Sequence, residues 1–461
     1  MIVMKFGGTS VENAEAICRL TGIVTRNRKR KVIVLVSACA GATNQLLRIG
    51  TLASEGASHE AVELVDALAL RHKKIITDLF EDDTVRLLSA TISTFADELK
   101  ALVNGVSVLG ELTPRSLDTF ASYGERMSSF IIHHHFLKSG LQSVFVDART
   151  FMITNNAFTK AVPNFEVVEK KLAELVIAPL ENGEVVMTQG FIGSTPQGIT
   201  TTIGRGGSDY SAAIVGALVK AEEIQIWTDV DGILSSDPSI VKNAKKIKVM
   251  SFNEAAELAY FGARVLHPET IRPAVERNVP VRVLNSRRPE YGGTLIVAHP
   301  ETKKQCVVKS IAYKEGITLI SIVSTRMFLA HGFLENVFDV FHKYQTVVHN
   351  VATSEVSISL TIDNVNHIDD IVRDLSEFST VTVSKSKAII CVVGDNLRNS
   401  AGMAARMLHA IPNININMIS QGASEINLSF VIDEDKVDEV VQKLHAELFA
   451  DADTLTEIFE P

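Results

Sequence analysis

Five apolar residues in a row, Val32-Ile-Val-Leu-Val36, lie at the centre of the segment Lys31–Ala38. A short run without a polar residue reads as a strand covered on both faces, the mark of a parallel sheet between helical layers. Ile2–Phe6, Val144–Val146, Glu184–Gln189, Ile224–Thr228 and Val279–Leu284 are further strand candidates, with helical patterns between them. Residues 12–29 place Ile17, Leu20 and Val24 on one helical face. Residues 58–139 read as largely helical, with a break near Asn104–Pro114. Residues 1–299 therefore read as an α/β sandwich around a mainly parallel sheet.

The pattern changes beyond residue 300. Strand Ile317–Ser324, helix Gly332–Tyr344, strands Val347–Thr353 and Val356–Ile362, helix Ile368–Phe378 and strand Val381–Ser384 form one unit. Strand Ala388–Gly394, helix Ala401–Ile411, strands Ile414–Gln421 and Ile426–Ile432 and helix Val437–Leu448 begin a second. This is a ferredoxin-like βαββαβ order repeated over roughly 70 residues. The second unit has no closing strand of its own after Leu448. Val307–Tyr313 can supply it, which inserts the first unit (317–386) inside the second (305–316 and 387–449).

Composition excludes several classes. A formal net charge of −9 argues against a nucleic-acid partner, which asks for a basic face. No run reaches the ~18 apolar residues of a membrane span. Met1-Ile-Val-Met-Lys5 passes straight into a strand pattern without the form of a signal peptide, so a cytoplasmic location is expected. Cys18, Cys39, Cys306 and Cys391 lie far apart with no Cys-x-x-Cys spacing, and are expected to be buried free thiols. His133-His-His135 does not read as a metal site, because consecutive helical residues fan out by ~100°.

Two stretches carry the chemistry, Lys5-Phe-Gly-Gly-Thr-Ser10 and Thr200-Thr-Thr-Ile-Gly-Arg-Gly-Gly-Ser-Asp209. Each follows a strand pattern and opens a helical one. Glycines at such a turn let backbone N–H groups approach an anion, and the helix N-terminus adds its dipole. Gly7 and Gly8 serve one cradle, with Lys5 as its cation; Arg205 is the cation of the other and a bidentate fork for a carboxylate. Ser208 and Asp209 also suit a helix cap. No Gly-x-x-x-x-Gly-Lys-Ser/Thr or Gly-x-Gly-x-x-Gly is present, so P-loop and dinucleotide readings lack support. Trp227-Thr-Asp-Val-Asp-Gly232 follows another strand. Its carboxylates can bind ribose, orient Mg²⁺ or close an Asx turn. Glu125, in Ser122-Tyr-Gly-Glu-Arg126, stands near the start of a helix.

Together these motifs resemble the aspartate kinases of the amino-acid kinase superfamily, over essentially the whole chain. The resemblance runs through Lys5-Phe-Gly-Gly-Thr-Ser10, Ser37-Ala-x-x-Gly-x-Thr-Asn44, Gln189-Gly-Phe-Ile-Gly193, Thr200–Tyr210, Trp227-Thr-Asp-Val230 and Phe261-Gly-Ala-Arg-Val-Leu-His-Pro268. The repeated C-terminal units look like the family's paired ACT domains, which bind a free amino acid as feedback inhibitor. The single-function, lysine-inhibited type is the nearest in pattern. The resemblance implies transfer of a phosphoryl group from ATP, with Mg²⁺, to L-aspartate. It makes Lys5 and Asp209 catalytic, Asp209 by holding Lys5 in place. Ser37, Thr43, Glu125, Arg205 and Ser208 are then the substrate site, with Arg205 on the α-carboxylate and Glu125 on the ammonium. Lys5, Gly7, Gly8, Thr228, Asp229 and Arg264 are implied for the nucleotide. Met327, Phe333, Leu334, Val348, His349, Thr353, Ser354 and Glu355 are implied for the effector. A homodimer or dimer of dimers through the ACT units is implied as well.

The chain departs from the family at a few positions. Leu234 and Ser239 stand where some bacterial members have tyrosine and arginine, and Arg264 where some have lysine. His349 stands where one member has an acidic residue on the effector's ammonium, and Ala330 where it has serine. Weaker lysine binding or a shifted effector preference is expected. Other readings are a kinase for glutamate or its acetylated form, an amino-acid sensor with a decayed kinase lobe, and a purely structural ACT oligomeriser. Intact Lys5, Arg205 and Asp209 argue against decay.

Overall fold

The computed structural model describes residues 1–204, 206–261, 268–300, 307–324, 332–422, 424–450 and 456–460. The chain divides into two compact units, Met1–Ile233 with Val265–Ala298, and Leu234–Arg264 with His299–Pro461.

The first unit is built on strands in the order Ser143–Phe145, Val185–Gln189, Val32–Val36, Ile2–Phe6, Glu223–Thr228, Val281–Asn285 and Thr294–Val297. All neighbours run parallel except the last pair. The apolar runs of the sequence are the central strands, and Ile2–Phe6, Val32–Val36 and Val185–Gln189 are buried throughout. Helices Ala42–Ser54, Ser58–Leu79, Asp82–Leu109 and Pro114–Lys138 supply the bulk of one covering layer, whose core joins Met4 and Val34 to Leu46, Leu68, Leu99 and Phe120. The expected helical stretch 58–139 is thus three helices, the last capped by Thr113 with proline in its first turn. Ile2–Phe6 is where the sheet changes its direction of growth, toward Val32–Val36 on one side and Glu223–Thr228 on the other. A crevice beyond the strand ends at such a switch point is where open α/β sheets bind ligands.

A short antiparallel hairpin, Ile192–Ser194 with Thr200–Thr202, lies outside this sheet. It is illegible in the sequence because three-residue strands carry too little pattern.

In the second unit six antiparallel strands run in the order Val351–Thr353, Ser357–Ile362, Val307–Val323, Thr380–Asp395, Asn427–Asp433 and Met418–Gln421. Two expected breaks are absent. Val307–Tyr313 and Ile317–Ser324 form one strand, and Val381–Ser384 and Ala388–Gly394 form another. The turn signals between them are register shifts at Lys314/Ile317 and Ile317/Leu319 in a continuous ladder, with Gly316 and Ser386 in the left-handed region. Helices Phe333–Lys343 and Ile368–Ser376 cover one half of this sheet around Val337, Leu360 and Ile371.

Residues 234–264, which the alternation places with 1–299, pack in the second unit. Helix Phe252–Tyr260 explains this. Its Glu254 meets Lys309 at 2.7 Å, with both side chains only 1 % exposed. Glu257 accepts from Asn427 Nδ2 at 2.7 Å. A buried pair of this kind holds its partners together because separation would leave an uncompensated charge.

Candidate active site

Lys5 is the penultimate residue of the switch-point strand, with Leu35 and Ile226 at the same register on either side. It is buried, and its Nζ meets Asp209 Oδ1 at 2.7 Å. Asp209 comes from the first turn of helix Gly207–Leu218, which begins after Gly206 at φ 72°. The strand end and the helix start therefore meet through one ion pair.

Beyond the strand the chain turns through Gly7 and Gly8. The Gly7 N–H donates to Trp227 O at 3.0 Å, which extends the parallel ladder. That corrects the expectation that both glycine amides face an anion, since one is committed. A side chain at Gly8 would stand 3.0 Å from Ala38 O and 3.2 Å from Ala40 Cα. Only glycine allows the loop after Val36 to pass this closely. Arg71 ties this corner together, donating to Ala40 O at 2.7 Å and to Glu12 O at 3.4 Å.

Helix Pro114–Lys138 forms the opposite wall. A Cβ at Gly124 would approach Ala38 Cβ to 2.7 Å, so the helix backbone lies directly on the Ser37–Ala38 loop. Ser128 Oγ donates to Ser37 O at 2.8 Å. Glu125 then projects inward. Its Oε1 accepts from the Ala38 N–H at 3.1 Å, while Oε2 is buried without a hydrogen-bond partner. Burial pushes the Glu125 carboxyl up to about 8, against the pull of the Ala38 amide and of Lys5. A buried carboxyl with one unused oxygen, held near neutrality by desolvation, is suited to a cationic partner that enters with the ligand.

These groups line one cleft of 950 Å³. It brings together Lys5, Gly8, Ser37, Thr43, Glu125, Ser208 and Asp209 from four separate stretches of sequence. Thr228 and Asp229 stand at the end of the adjacent strand, outside this lining. There Thr228 O accepts from the Ser286 N–H at 2.8 Å, and Thr228 Oγ1 donates to Asp229 Oδ1 at 3.2 Å. Asp231 takes Asn285 Nδ2 at 2.7 Å and pairs with Arg288. Arg205 and Arg264 lie outside the described residues. Sequence reasoning missed Asp118 and Arg71. Asp118 had a signal, since it precedes Glu125 by seven positions and so shares its helix face.

The sequence model of the amino acid kinase family matches residues 1–285, and that of an ACT domain matches residues 390–448. Aspartokinase 1, chloroplastic, of Arabidopsis thaliana is 35% identical over 477 residues, covering 100% of this chain and 82% of the relative. E. coli aspartokinase III in complex with lysine and aspartate, in the T-state, matches with TM-score 0.80 and 33% identity, over 97% of this chain and 99% of that one. The same enzyme with aspartate and ADP, in the R-state, gives TM-score 0.81 and 34% identity over 97% and 100%. The chain belongs to the amino acid kinase family, within its aspartokinases. It is an enzyme of the aspartate kinase class.

In this aspartokinase the expected effector positions are scattered in character. Phe333 is buried and packs edge-on to Phe378 at 5.7 Å, within the core of the second unit. Leu334, Thr353, Ser354 and Glu355 are exposed, and Val348 is half-buried. Met327 and Ala330 lie outside the described residues. His349 is engaged on both ring nitrogens. Nδ1 meets Tyr260 Oη at 2.7 Å; Nε2 lies 3.1 Å from both Lys314 Nζ and Asp363 Oδ2. Burial and Lys314 hold its imidazole below the usual range, and Asp363 opposes them.

Among the cysteines, Cys39 and Cys391 are buried, and burial pushes Cys39 up to about 12. Cys18 is instead exposed, 3.7 Å from His135 Nε2, and Cys306 lies outside the described residues. The three consecutive histidines take separate partners, Ser143 O, Phe130 O and Thr21 Oγ1. Among the described residues no helix is long and apolar enough to cross a membrane.

Proposed function

We propose that this chain transfers the γ-phosphoryl group of ATP to the side-chain carboxylate of L-aspartate, giving 4-phospho-L-aspartate and ADP, under feedback by an amino acid, lysine foremost. The observation that carries the reading is Glu125 Oε2, buried and unpartnered in the cleft that holds the Lys5–Asp209 pair. The substrate ammonium satisfies it. That contact also selects a free amino group over an acetylated one.

The acceptor carboxylate, with an ordinary pKa of about 4, is already ionised and needs no general base. What it needs is relief of anion–anion repulsion and a cation for the charge on the transferring group. Lys5 supplies that charge. Asp209 holds Lys5 in line and is not itself a base. Gly8, at the lip of the cleft, offers its backbone amide to a phosphate. Ser37, Thr43 and Ser208 orient the amino acid, and Arg205 clamps its α-carboxylate. Thr228, Asp229 and Arg264 serve the nucleotide. Among the described residues no group of three or more His, Cys, Asp or Glu could hold a metal. Magnesium entering with ATP would neutralise charge on the transferring group, and the carboxylates of Asp229 and Asp231 at the strand end would be available to orient it.

E. coli aspartokinase III binds aspartate with ADP in one state and lysine in another, which supports both halves of the proposal. Leu334, Val348, His349, Thr353, Ser354 and Glu355, with Met327 and the backbone at Phe333, remain the proposed effector contacts. A dimer or dimer of dimers through the ACT units is proposed with them. The test is ADP release from Mg-ATP with L-aspartate, with and without L-lysine, and with L-glutamate as control. Aspartate-dependent release that lysine suppresses is expected. No release on aspartate with lysine still bound would replace the kinase by a sensor.

A further inference from the structure

Asp118 lines the same cleft as Glu125, on the same helix, yet nothing in the proposed reaction uses it. Its carboxylate is 1 % exposed and fully engaged. The Thr159 N–H reaches both oxygens, at 3.1 and 3.0 Å. The Thr202 N–H reaches Oδ2 at 2.9 Å, and Thr202 Oγ1 donates to Oδ1 at 2.6 Å. Three donors, one of them shared between both oxygens, thus hold the carboxylate, and its contacts run to the loop and the hairpin.

Both donors belong to segments that need holding. Thr159 sits at φ 69°, a left-handed conformation that a β-branched side chain resists. Its carbonyl lies 3.4 Å from where a Cβ of Gly204 would be, and Gly204 is itself at φ 84°. Thr202 ends the short hairpin strand and is clasped from outside by the Ala161 N–H on its carbonyl at 3.0 Å. From Gly204 the chain is locked into the helix, by Gly207 N–H to Gly204 O and Asp209 N–H to Gly206 O, each at 3.0 Å. The next link is the Lys5–Asp209 pair.

We infer that Asp118 is a positioning residue for phosphoryl transfer: by gripping Thr159 and Thr202 it fixes where Ser208 and Asp209 stand over the amino-acid end of the cleft. The inference rests on the kinase reading above. A misplacement of about 1 Å at reacting groups can cost about 100-fold in rate. An amide at position 118 keeps the size but turns one acceptor into a donor facing a donor.

The experiment compares Asp118→Asn, Thr202→Val, Thr202→Ser and the double variant Asp118→Asn/Thr202→Val. Kinetic constants for aspartate and for ATP are measured separately, alongside thermal unfolding. Wild-type enzyme without aspartate-dependent ADP release would sink the kinase reading itself, before any variant is compared. Given wild-type turnover, Asp118→Asn is expected to lower kcat/KM for aspartate by about 10- to 100-fold, with KM for ATP within about twofold. Thr202→Val should fall in the same parameter and Thr202→Ser should recover it. The double variant should cost little more than Asp118→Asn alone, as residues in one network do. The inference is overturned if Asp118→Asn stays within twofold of wild type, if KM for ATP shifts as far as KM for aspartate, if the two losses simply add, or if activity tracks only the folded fraction.

Discussion

Each unit of the molecule holds a lysine–aspartate pair at 2.7 Å, Lys5–Asp209 in the first and Lys314–Asp363 in the second. Each pair has a third titratable side chain near it, and there the two regions part. In the cleft Glu125 keeps a buried oxygen without a partner. In the second unit His349 has both ring nitrogens within reach of a neighbour. Satisfying every buried polar group makes a rigid joint; leaving one unsatisfied costs stability until a ligand completes it. The same charge pattern thus sits beside an open acceptor in one place and a closed network in the other.

The comparison breaks most visibly at Lys5. Lys5→Met is expected to lower kcat by about 1000-fold, as loss of a preorganised charge donor does. Lysine binding to the second unit, followed by calorimetry, should be unchanged. Loss of both activities would mean that the two regions are not separable.

Glu125→Gln comes next. One charged hydrogen bond, worth about 2 kcal/mol, corresponds to about 30-fold in kcat/KM for aspartate. The free wild-type enzyme binds aspartate through the ionised carboxylate, so kcat/KM should rise with pH up to about 8 and flatten in the variant. The stability of the unliganded enzyme moves the other way. A carboxyl raised from 4.5 to about 8 binds its proton more tightly when folded, so stability falls as pH climbs through that window. Chemical denaturation from pH 5 to 9 should show this slope in wild type and lose it in Glu125→Gln.

His349→Asp should sharpen the contrast, by giving the second unit an anion that the histidine lacks. Lysine is expected to inhibit at about tenfold lower concentration, a coupling of about 1.4 kcal/mol. An unchanged inhibition curve would remove His349 from the effector site. The smallest effect belongs to Tyr260→Phe. Losing its bond to His349 should cost about 1 kcal/mol in urea unfolding of the second unit, without moving kcat.

Much of this was legible in the sequence where one residue type has one physical use. The all-apolar runs had to be central strands, and the glycine turns after two of them had to be close passages. Lys5 could be named because it lies beside such glycines, whereas Asp209, which by its position reads as a helix cap, drew its role from the family resemblance. The rest depends on pairing across distance. The committed amide of Gly7 is visible only when Trp227 is placed beside it, and the burial of Phe333 only when Phe378 closes over it. Gly316 reads locally as a turn, but a ladder with partners on both sides absorbs it as a register shift. The grip of Asp118 on Thr202 joins residues 84 apart.

The chain leaves the first unit after Ile233, is back in it by Pro268, and leaves again after Ala298. The second unit is therefore not an appended cassette that a stop codon could remove. A gene cut at residue 299 would keep helix Phe252–Tyr260 while discarding Lys309, and would strand the Glu254 carboxylate with no counter-charge. Freeing catalysis from the feedback proposed above, by selection or by engineering, would then proceed through point changes inside the six-stranded sheet of the second unit, or through two deletions made together.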